Sequence, residues 1–115
     1  MQQFKRLKSK KEISFVFDKG YGFSSFPIKL FFIKNSQKQR SNVAFTVGKK
    51  NLSRAVDRNK VKRLMREAFR LNCVEDGVFL DHSLVFVYLG KNVVSFDSIK
   101  EGFLGVIKKF MSKKN

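Results

Sequence analysis

The sequence predicts an α+β fold in which helices pack against one small β-sheet. Three observations lead to this prediction. Apolar residues recur at helical spacing in three segments, runs rich in aromatic and β-branched residues lie between them, and the order is helix, strands, helix, strand, helix. The 115 residues leave no room for a second hydrophobic core, so we expect a single domain over residues 1–115.

The first helix is predicted to cover residues 10–19. Ser9 and Glu12 fit a capping box, in which the serine side chain accepts a hydrogen bond from a first-turn amide while the glutamate reaches back. Gly20 is expected to end the helix in the left-handed conformation. The apolar residues that follow the cap at helical spacing are Ile13, Val16 and Phe17.

Three extended segments are predicted to form the sheet. Residues 26–34 and 42–47 are apolar and flank a polar, turn-like stretch at 35–40, which predicts an antiparallel hairpin. Pro27 has no amide donor and therefore suits the start of a strand or a sheet edge. Residues 84–89 are almost continuously apolar, which is typical of a strand covered on both faces.

Helical periodicity returns in two longer segments. The second helix is predicted to begin at Ser53 or Asp57 and to end at about Asn72, and the third is predicted to begin near Ser95. The third contains two glycines, each of which weakens a helix interior by ~1 kcal/mol relative to alanine. The inward faces are Val61, Leu64, Met65, Ala68 and Phe69 in the second helix, and Phe96, Ile99, Phe103, Val106, Ile107 and Phe110 in the third.

The charge of the chain predicts an anionic partner. Twenty-five Lys and Arg against nine Asp and Glu give a net charge of +16, which opposes compaction unless a partner neutralises it. A membrane surface is disfavoured, because the sequence shows no lipidation motif and no apolar run of roughly 20 residues. The charged N-terminal region does not resemble a secretory signal, so we expect a cytoplasmic protein that binds nucleic acid.

The basic residues concentrate in and before the second helix. Nine of them lie between Lys49 and Arg70, with only two acidic residues. On a helical projection a positive face lies opposite the apolar one, and like charges four residues apart repel each other. A solvated charged face is the alternative, but such faces usually mix signs, so we favour binding to phosphates. Charge and spacing leave DNA and RNA open. The face consists of Asn59, Lys62, Arg63, Arg66 and Arg70.

The single cysteine and the single histidine exclude two classes of small domain. Cys73 alone cannot form an internal disulfide, and Cys73 with His82 cannot complete a zinc-finger site. We interpret Cys73 as a buried or half-buried small residue and His82 as a loop residue. Paired carboxylates, metal-ligand clusters and nucleophile–base pairs are also not evident in the sequence.

Taken in order, these motifs resemble the protein component of bacterial ribonuclease P. Arg6-Leu7-Lys8 with Phe17 and Gly20 is similar to the first helix of that family. Val43 to Lys50 is similar to its strand ending in paired lysines, and Arg54-Ala55 with Arg58 to Arg70 is similar to its signature basic helix. The resemblance covers most of the chain and is most specific in the ungapped basic helix.

The resemblance implies a fold and a function. The fold is a two-layer sandwich with a mostly antiparallel four-stranded sheet, αβββαβα order and a left-handed βαβ crossover. The function is that of a protein subunit that pairs with a catalytic RNA. The complex removes the 5′ leader of precursor tRNA by hydrolysing one phosphodiester bond, leaving a 5′-phosphate. The RNA and its bound Mg²⁺ supply the chemistry, so the protein alone is not expected to be catalytic. No protein partner is implied.

The resemblance also implies a set of functional residues. The expected RNA contacts are Lys49, Lys50, Arg54, Arg58, Asn59, Lys60, Lys62, Arg63, Arg66 and Arg70. A cleft between the first helix and the sheet is expected to take the single-stranded leader, and its residues are Phe17, Phe31, Thr46 and Lys50. Judged by residue type alone, Phe17 and Phe31 would be core residues.

Three positions depart from the family's pattern. Ile13 replaces a common aromatic of the first helix, Phe31 replaces a common tyrosine, and Lys60 stands where arginine is frequent. Two other functions also fit a strongly basic chain, namely a structural protein associated with ribosomes and a nuclease that needs no RNA.

Overall fold

Five strands and three helices follow one another in the computed structural model, which describes residues 4–7, 9–34, 41–73 and 82–114. In chain order the elements are β1 (Phe4–Arg6), α1 (Lys10–Lys19), β2 (Tyr21–Ser25), β3 (Ile28–Lys34), β4 (Ser41–Thr46), α2 (Ala55–Cys73), β5 (His82–Tyr88) and α3 (Phe96–Lys114). The predicted α+β class and the order of helices and strands are confirmed. The side chain of Cys73 lies outside the described residues, so the prediction of its burial stays a prediction.

The strands form one mixed sheet in the order β1-β4-β5-β3-β2. The pairs β2–β3 and β3–β5 are antiparallel, whereas β1–β4 and β4–β5 are parallel. Compared with the expected four strands, the three-residue β1 is an additional edge strand. Since β4 and β5 are parallel neighbours joined through α2, α2 forms a βαβ crossover. Its left hand stays a prediction.

The hairpin predicted between residues 26–34 and 42–47 is wrong. Strand β5 lies between β3 and β4, so these two segments are not neighbours. The hairpin of this sheet is β2–β3 instead, with Phe26 and Pro27 in its turn and a cis peptide bond between them. The residue pattern identifies a strand from its own sequence, but the choice of partner depends on long-range packing that the pattern does not contain.

Helix α1 has the predicted bounds, and its ends are held as local chemistry requires. The Glu12 amide donates to Ser9 Oγ over 3.3 Å, which satisfies one of the free amides of the first turn. The left-handed ending predicted at Gly20 is wrong, because Gly20 is extended with φ −84° and ψ 173°. Glycine is needed there for space: a Cβ would lie 2.5 Å from the Val16 carbonyl oxygen and 2.6 Å from that of Phe32.

One face of the sheet packs against α2 and α3 and forms the larger core. Alternate residues of β3 and β5, including Leu30 and Phe86, meet the apolar faces of the two helices there. The helical residues of this core that are buried are Val61, Met65, Ala68, Phe69, Ile99, Phe103, Val106 and Phe110. The inward faces predicted for both helices are therefore confirmed, except that Leu64, Phe96 and Ile107 are only partly buried at the border.

The opposite face of the sheet carries α1 and is only partly covered. Val16 of α1 packs with Leu7, Ala44 and Val85 in a second, smaller cluster. A ten-residue helix cannot cover a five-stranded sheet. Sheet surface therefore remains accessible on both sides of α1.

The prediction that His82 is a loop residue is wrong. It is the first residue of β5 and pairs with Lys34 of β3. Its ring lies edge-on to Phe110, with 5.2 Å between the ring centroids, and 6.1 Å from Phe32. Strand β5 therefore begins before its apolar run, because His82 pairs with β3, and its ring joins an aromatic cluster that local sequence does not reveal.

The glycines of α3 permit close contact with the β2–β3 turn. A Cβ at Gly105 would overlap Ser25 Oγ and lie 2.6 Å from Ser25 Cβ, and one at Gly102 would lie 2.8 Å from Ile28 Cγ1. We therefore expect Gly105→Ala to lower stability by about 1–3 kcal/mol through overpacking, although alanine favours a helix interior. Thermal unfolding measures the effect, and Ser25→Gly in the same chain should restore stability. A more stable Gly105→Ala protein would contradict this packing.

Candidate nucleic-acid interface

Helix α2 presents a positively charged face away from the core. The buried side of the helix includes Val61 and Met65, both fully buried, so the opposite side projects into solvent. We call this side the basic face; it consists of exposed Asn59, Lys60, Arg63, Arg66 and Arg70 and half-buried Lys62. A rigid helix with guanidinium groups and amines on one side is suited to bind a folded phosphate backbone.

Arg70 of the basic face is paired with an acidic residue one turn earlier in the same helix. Its guanidinium donates to both carboxylate oxygens of Glu67, over 3.2 Å from Nε and 2.8 Å from Nη2. This hydrogen bonding lowers the pKa of Glu67 and raises the pKa of Arg70. A phosphate would have to compete with this exposed pair, which contributes little stability by itself. Arg63 is therefore a better candidate for direct phosphate contact than Arg70.

Arg58 has a structural contact that the sequence did not reveal. Its Nη1 donates to the carbonyl oxygens of Leu52, over 2.9 Å, and Ser53, over 2.8 Å. The side chain is half-buried and closes the loop that leads into α2. Arg58 thus holds the start of the basic helix in place, and one edge of its guanidinium is engaged by the chain's own backbone.

A short turn carries the paired lysines between β4 and α2. We call residues 48–52 the lysine turn. The amides of Asn51 and Leu52 both donate to the Gly48 carbonyl oxygen over 3.1 Å, and the Leu52 side chain is buried. Lys49 and Lys50 are exposed. A turn held by backbone hydrogen bonds presents both amines at a defined place instead of on a mobile loop.

Asn51 attaches the lysine turn to the far end of β5. This role of Asn51 was not predicted from the sequence. Its Nδ2 donates to the carbonyl oxygens of Leu89 and Gly90, each over 3.1 Å. These partners lie 38 and 39 residues away along the chain, so no local pattern could have indicated the contact. An asparagine between paired lysines and a buried leucine was the only available signal. Asn51 and Arg58 together immobilise the approach to α2.

The expected leader cleft lies on the α1 side of the sheet. Phe17 is 41% exposed and Phe31 is half-buried, and their rings meet edge-on with centroids 4.9 Å apart. Lys29, which was not predicted, lies with its Nζ 4.8 Å from the centroid of the Phe31 ring. Since neither ring is fully buried, simple core packing does not describe this pair. We call this surface, with Thr46, the cleft.

The structure brings together some of the predicted residues and separates others. Thr46 pairs with Val87, which pairs with Lys29, so Thr46 lies across the same sheet face from that lysine. Its hydroxyl donates weakly to the Phe86 carbonyl oxygen, over 3.5 Å. The basic face belongs to the layer on the other side of the sheet. The lysine turn connects the cleft with the basic face, because it follows β4, which carries Thr46 of the cleft, and precedes α2.

Over residues 4–7, 9–34, 41–73 and 82–114, no three His, Cys, Asp or Glu side chains form a group able to hold a metal ion. Among the helices in that part of the chain, none combines the length and apolar character that crossing a membrane would require.

Comparison with known proteins gives consistent results. The sequence model of a family described as Ribonuclease P matches residues 1–111. The chain is 39% identical over 74 residues to a ribonuclease P protein component of Porphyromonas gingivalis, covering 63% of this chain and 54% of that protein. It thus spans about half the length of that relative. To the corresponding protein of Alkaliphilus metalliredigens it is 33% identical over 87 residues, covering 76% of this chain and 75% of the relative.

Two solved structures are also similar. The ribonuclease P protein of Thermotoga maritima has a TM-score of 0.75 at 27% identity, covering 91% of this chain and 96% of that one. The protein from Staphylococcus aureus has a TM-score of 0.76 at 21% identity, covering 90% and 93%. The second likeness concerns the fold alone.

The asparagine contact can be tested on the isolated protein. Asn51→Ala removes both donors to the loop after β5, and two hydrogen bonds of about 1 kcal/mol each correspond to roughly tenfold or more in local opening. Limited trypsin digestion should therefore cut faster after Lys49 and Lys50, but not after Arg63 within α2. Asn59→Ala, at an exposed asparagine of α2, is the matched control. Equal cleavage after Lys50 in both variants would contradict the proposed attachment.

Proposed function

The chain belongs to the ribonuclease P protein family, and on this premise we propose that it is the protein subunit of a ribonucleoprotein ribonuclease P. In this function it binds the catalytic RNA and the 5′ leader of precursor tRNA. The complex removes the leader by hydrolysing one phosphodiester bond and so generates the mature 5′ end. The RNA subunit performs the chemistry, and the protein binds and positions.

The observation that carries the proposal is the connection of two chemically different surfaces, the basic face and the cleft, by one hydrogen-bonded turn. The basic face offers charge spaced along a helix, which suits a folded RNA whose phosphates are close together. The cleft offers aromatic rings beside a lysine, which suits single-stranded nucleotides whose bases stack. A folded catalytic RNA and a single-stranded leader are the two kinds of RNA that such a pair of surfaces would bind at once.

On the basic face, the proposed contacts follow from charge and exposure. Arg63 and Arg66 can grip phosphates through two parallel hydrogen bonds, whereas Lys60 and Lys62 act as point charges. Repulsion among these cations is relieved when phosphates approach, so the unbound face favours an anionic partner. Asn59 of α2 and Arg54, which directly precedes that helix, are also exposed and complete the proposed surface.

In the cleft, the departures from the family's pattern change how a leader would be held. Ile13 is packed against the small cluster beneath α1, so stacking at that end would depend on Phe17 and Phe31. Phe31 has no hydroxyl to offer a nucleotide, but the nearby ammonium of Lys29 can hold a phosphate beside the stacked base. We propose that Thr46 and Lys50 border the path of the leader toward the RNA subunit.

We assign Mg²⁺ mainly to the RNA subunit. Magnesium prefers hard oxygen ligands such as phosphates and water, and the protein surface in question is strongly cationic and would repel it. When bound to the RNA, Mg²⁺ would activate the attacking water and stabilise the leaving oxygen. The protein's cations would neutralise phosphates nearby and thereby lower the magnesium concentration that the complex needs. We place this activity in the cytoplasm, where precursor tRNA would be met.

Reconstitution tests the proposed function directly. The protein alone should not cleave precursor tRNA, whereas adding it to the cognate catalytic RNA should strengthen precursor binding and lower the magnesium requirement for cleavage. Single-turnover cleavage over a magnesium series measures both effects. If leader-dependent cleavage by the RNA is indifferent to the protein, the proposal fails. Co-purification with ribosomal subunits would support a ribosome-associated protein instead, and cleavage by RNA-free protein would support an independent nuclease.

A second experiment separates binding from folding within α2. Arg63→Ala or Arg66→Ala should weaken binding to the catalytic RNA and reduce the slope of log affinity against log salt by up to about 0.9, without lowering the melting temperature. Met65→Ala should instead destabilise the fold by roughly 2–5 kcal/mol, because Met65 is fully buried. Leu64→Ala should cost less, since Leu64 is only half-buried. Similar behaviour of Arg63→Ala and Met65→Ala would refute the division into two faces.

A further inference from the structure

Helix α1 leaves a second groove open on its other flank. Val16 points at the sheet, and Phe15 and Phe17, its neighbours on either side, project to opposite flanks of the helix. Phe17 borders the cleft, whereas Phe15 borders an open groove of about 480 Å³. Ile33 of β3 and Ser83 of β5 also line this groove. We call it the Phe15 groove.

The exposure of Phe15 is not explained by folding. Its side chain is 53% exposed, although α1 would be equally helical with a polar residue on that flank. A single exposed apolar residue is ordinary on a protein surface. Phe15, however, borders a concave site with an aliphatic side chain, Ile33, in its lining. A ring beside such a lining can stack on a flat heterocycle.

The polar groups of the groove favour a nucleotide over an apolar ligand. Lys11 from the first turn of α1 and Lys34 from the end of β3 both line it and are exposed. Their ammonium groups can hold phosphates. Glu12 lines the groove as well, and its carboxylate can accept hydrogen bonds from the N–H groups of a base edge. Two cations and one anion leave the groove with a positive charge.

The position of the groove connects it with the cleft. Asn42, Ser83 and Ile33 form one row across the sheet, and Thr46, Val87 and Lys29 form another. The rows are four residues apart along each strand, or roughly 13 Å at about 3.3 Å per residue. They belong to the same sheet face, with α1 between them. A single strand that leaves the cleft across α1 would therefore reach the Phe15 groove within a few nucleotides.

We propose that the Phe15 groove binds a nucleotide of the 5′ leader upstream of those held in the cleft. Phe15 stacks on the base, Lys11 and Lys34 hold the flanking phosphates, and Glu12 accepts from the base edge. The groove has the volume of a small-molecule pocket, which is enough for one nucleotide. The inference rests on the proposed function, since it extends the path of the same leader.

The experiment measures the affinity of the reconstituted complex for precursor tRNAs whose leaders are lengthened one nucleotide at a time. Wild-type affinity should rise in two stages, the first when the leader fills the cleft and the second when it reaches the Phe15 groove. Phe17→Ala should remove the first stage, and Phe15→Ala should remove only the second, by about fivefold or more. Phe26→Ala is the matched control, because Phe26 is a 72% exposed phenylalanine in the β2–β3 turn. Phe15→Tyr should retain the second stage, because the ring remains.

Each of the other possible outcomes would overturn the assignment of the Phe15 groove to the leader. If Phe15→Ala matches Phe26→Ala at every leader length while Phe17→Ala weakens binding, the inference is overturned and the proposed function survives. If wild-type affinity does not depend on the leader at all, both are overturned. An equal loss for Phe15→Ala at every leader length would assign the groove to the RNA subunit, and a change only in self-association, measured by sedimentation, would assign it to a protein contact. Either result overturns the leader assignment.

Discussion

Burial of β5 on both faces is the constraint on which the rest of the molecule depends. Leu84, Val85 and Phe86 are completely buried, the first and third against α2 and α3, and the second beneath α1. Because β5 pairs with β3 on one side and β4 on the other, it sets the spacing of both layers. The basic face, the cleft and the Phe15 groove all derive their positions from helices that pack against this strand and its neighbours.

Charge and stability are kept apart in this fold. The cations of α2 project from the side opposite Val61 and Met65, so a high net charge of +16 does not require a buried charge. The lysine turn achieves the same separation by other means, since Asn51 and Arg58 bind backbone carbonyl groups while Lys49 and Lys50 remain exposed. The backbone of such a surface is ordered before any ligand binds, and a pre-ordered surface loses less entropy on binding.

Predictions from local sequence were correct wherever a structure depends on residues close together in the chain. The bounds of α1 follow from the Ser9 cap and the spacing of three apolar residues, and the inward face of α2 follows from helical periodicity. The predictions from local sequence were wrong where a residue or strand has its partner in a distant part of the chain. The predicted β3–β4 hairpin was wrong because β5, from a later part of the chain, lies between the two strands. The left-handed Gly20 and the loop position of His82 were also wrong, and the residues that these two contact, Phe32 and Phe110, are likewise distant in the chain. Asn51 was missed for the same reason.

By itself, the sequence determined the α+β class, the two-sided character of α2, the large excess of positive charge and the resemblance that identifies the family. Composition and short-range periodicity are sufficient for these, since they depend on residue type and on spacing within one element. Only the tertiary structure decided which strands are neighbours, that the basic face and the cleft lie in opposite layers, and that Phe15 and Phe17 border different grooves. These depend on contacts between segments distant in the chain, where packing selects one arrangement among several that the same pattern allows.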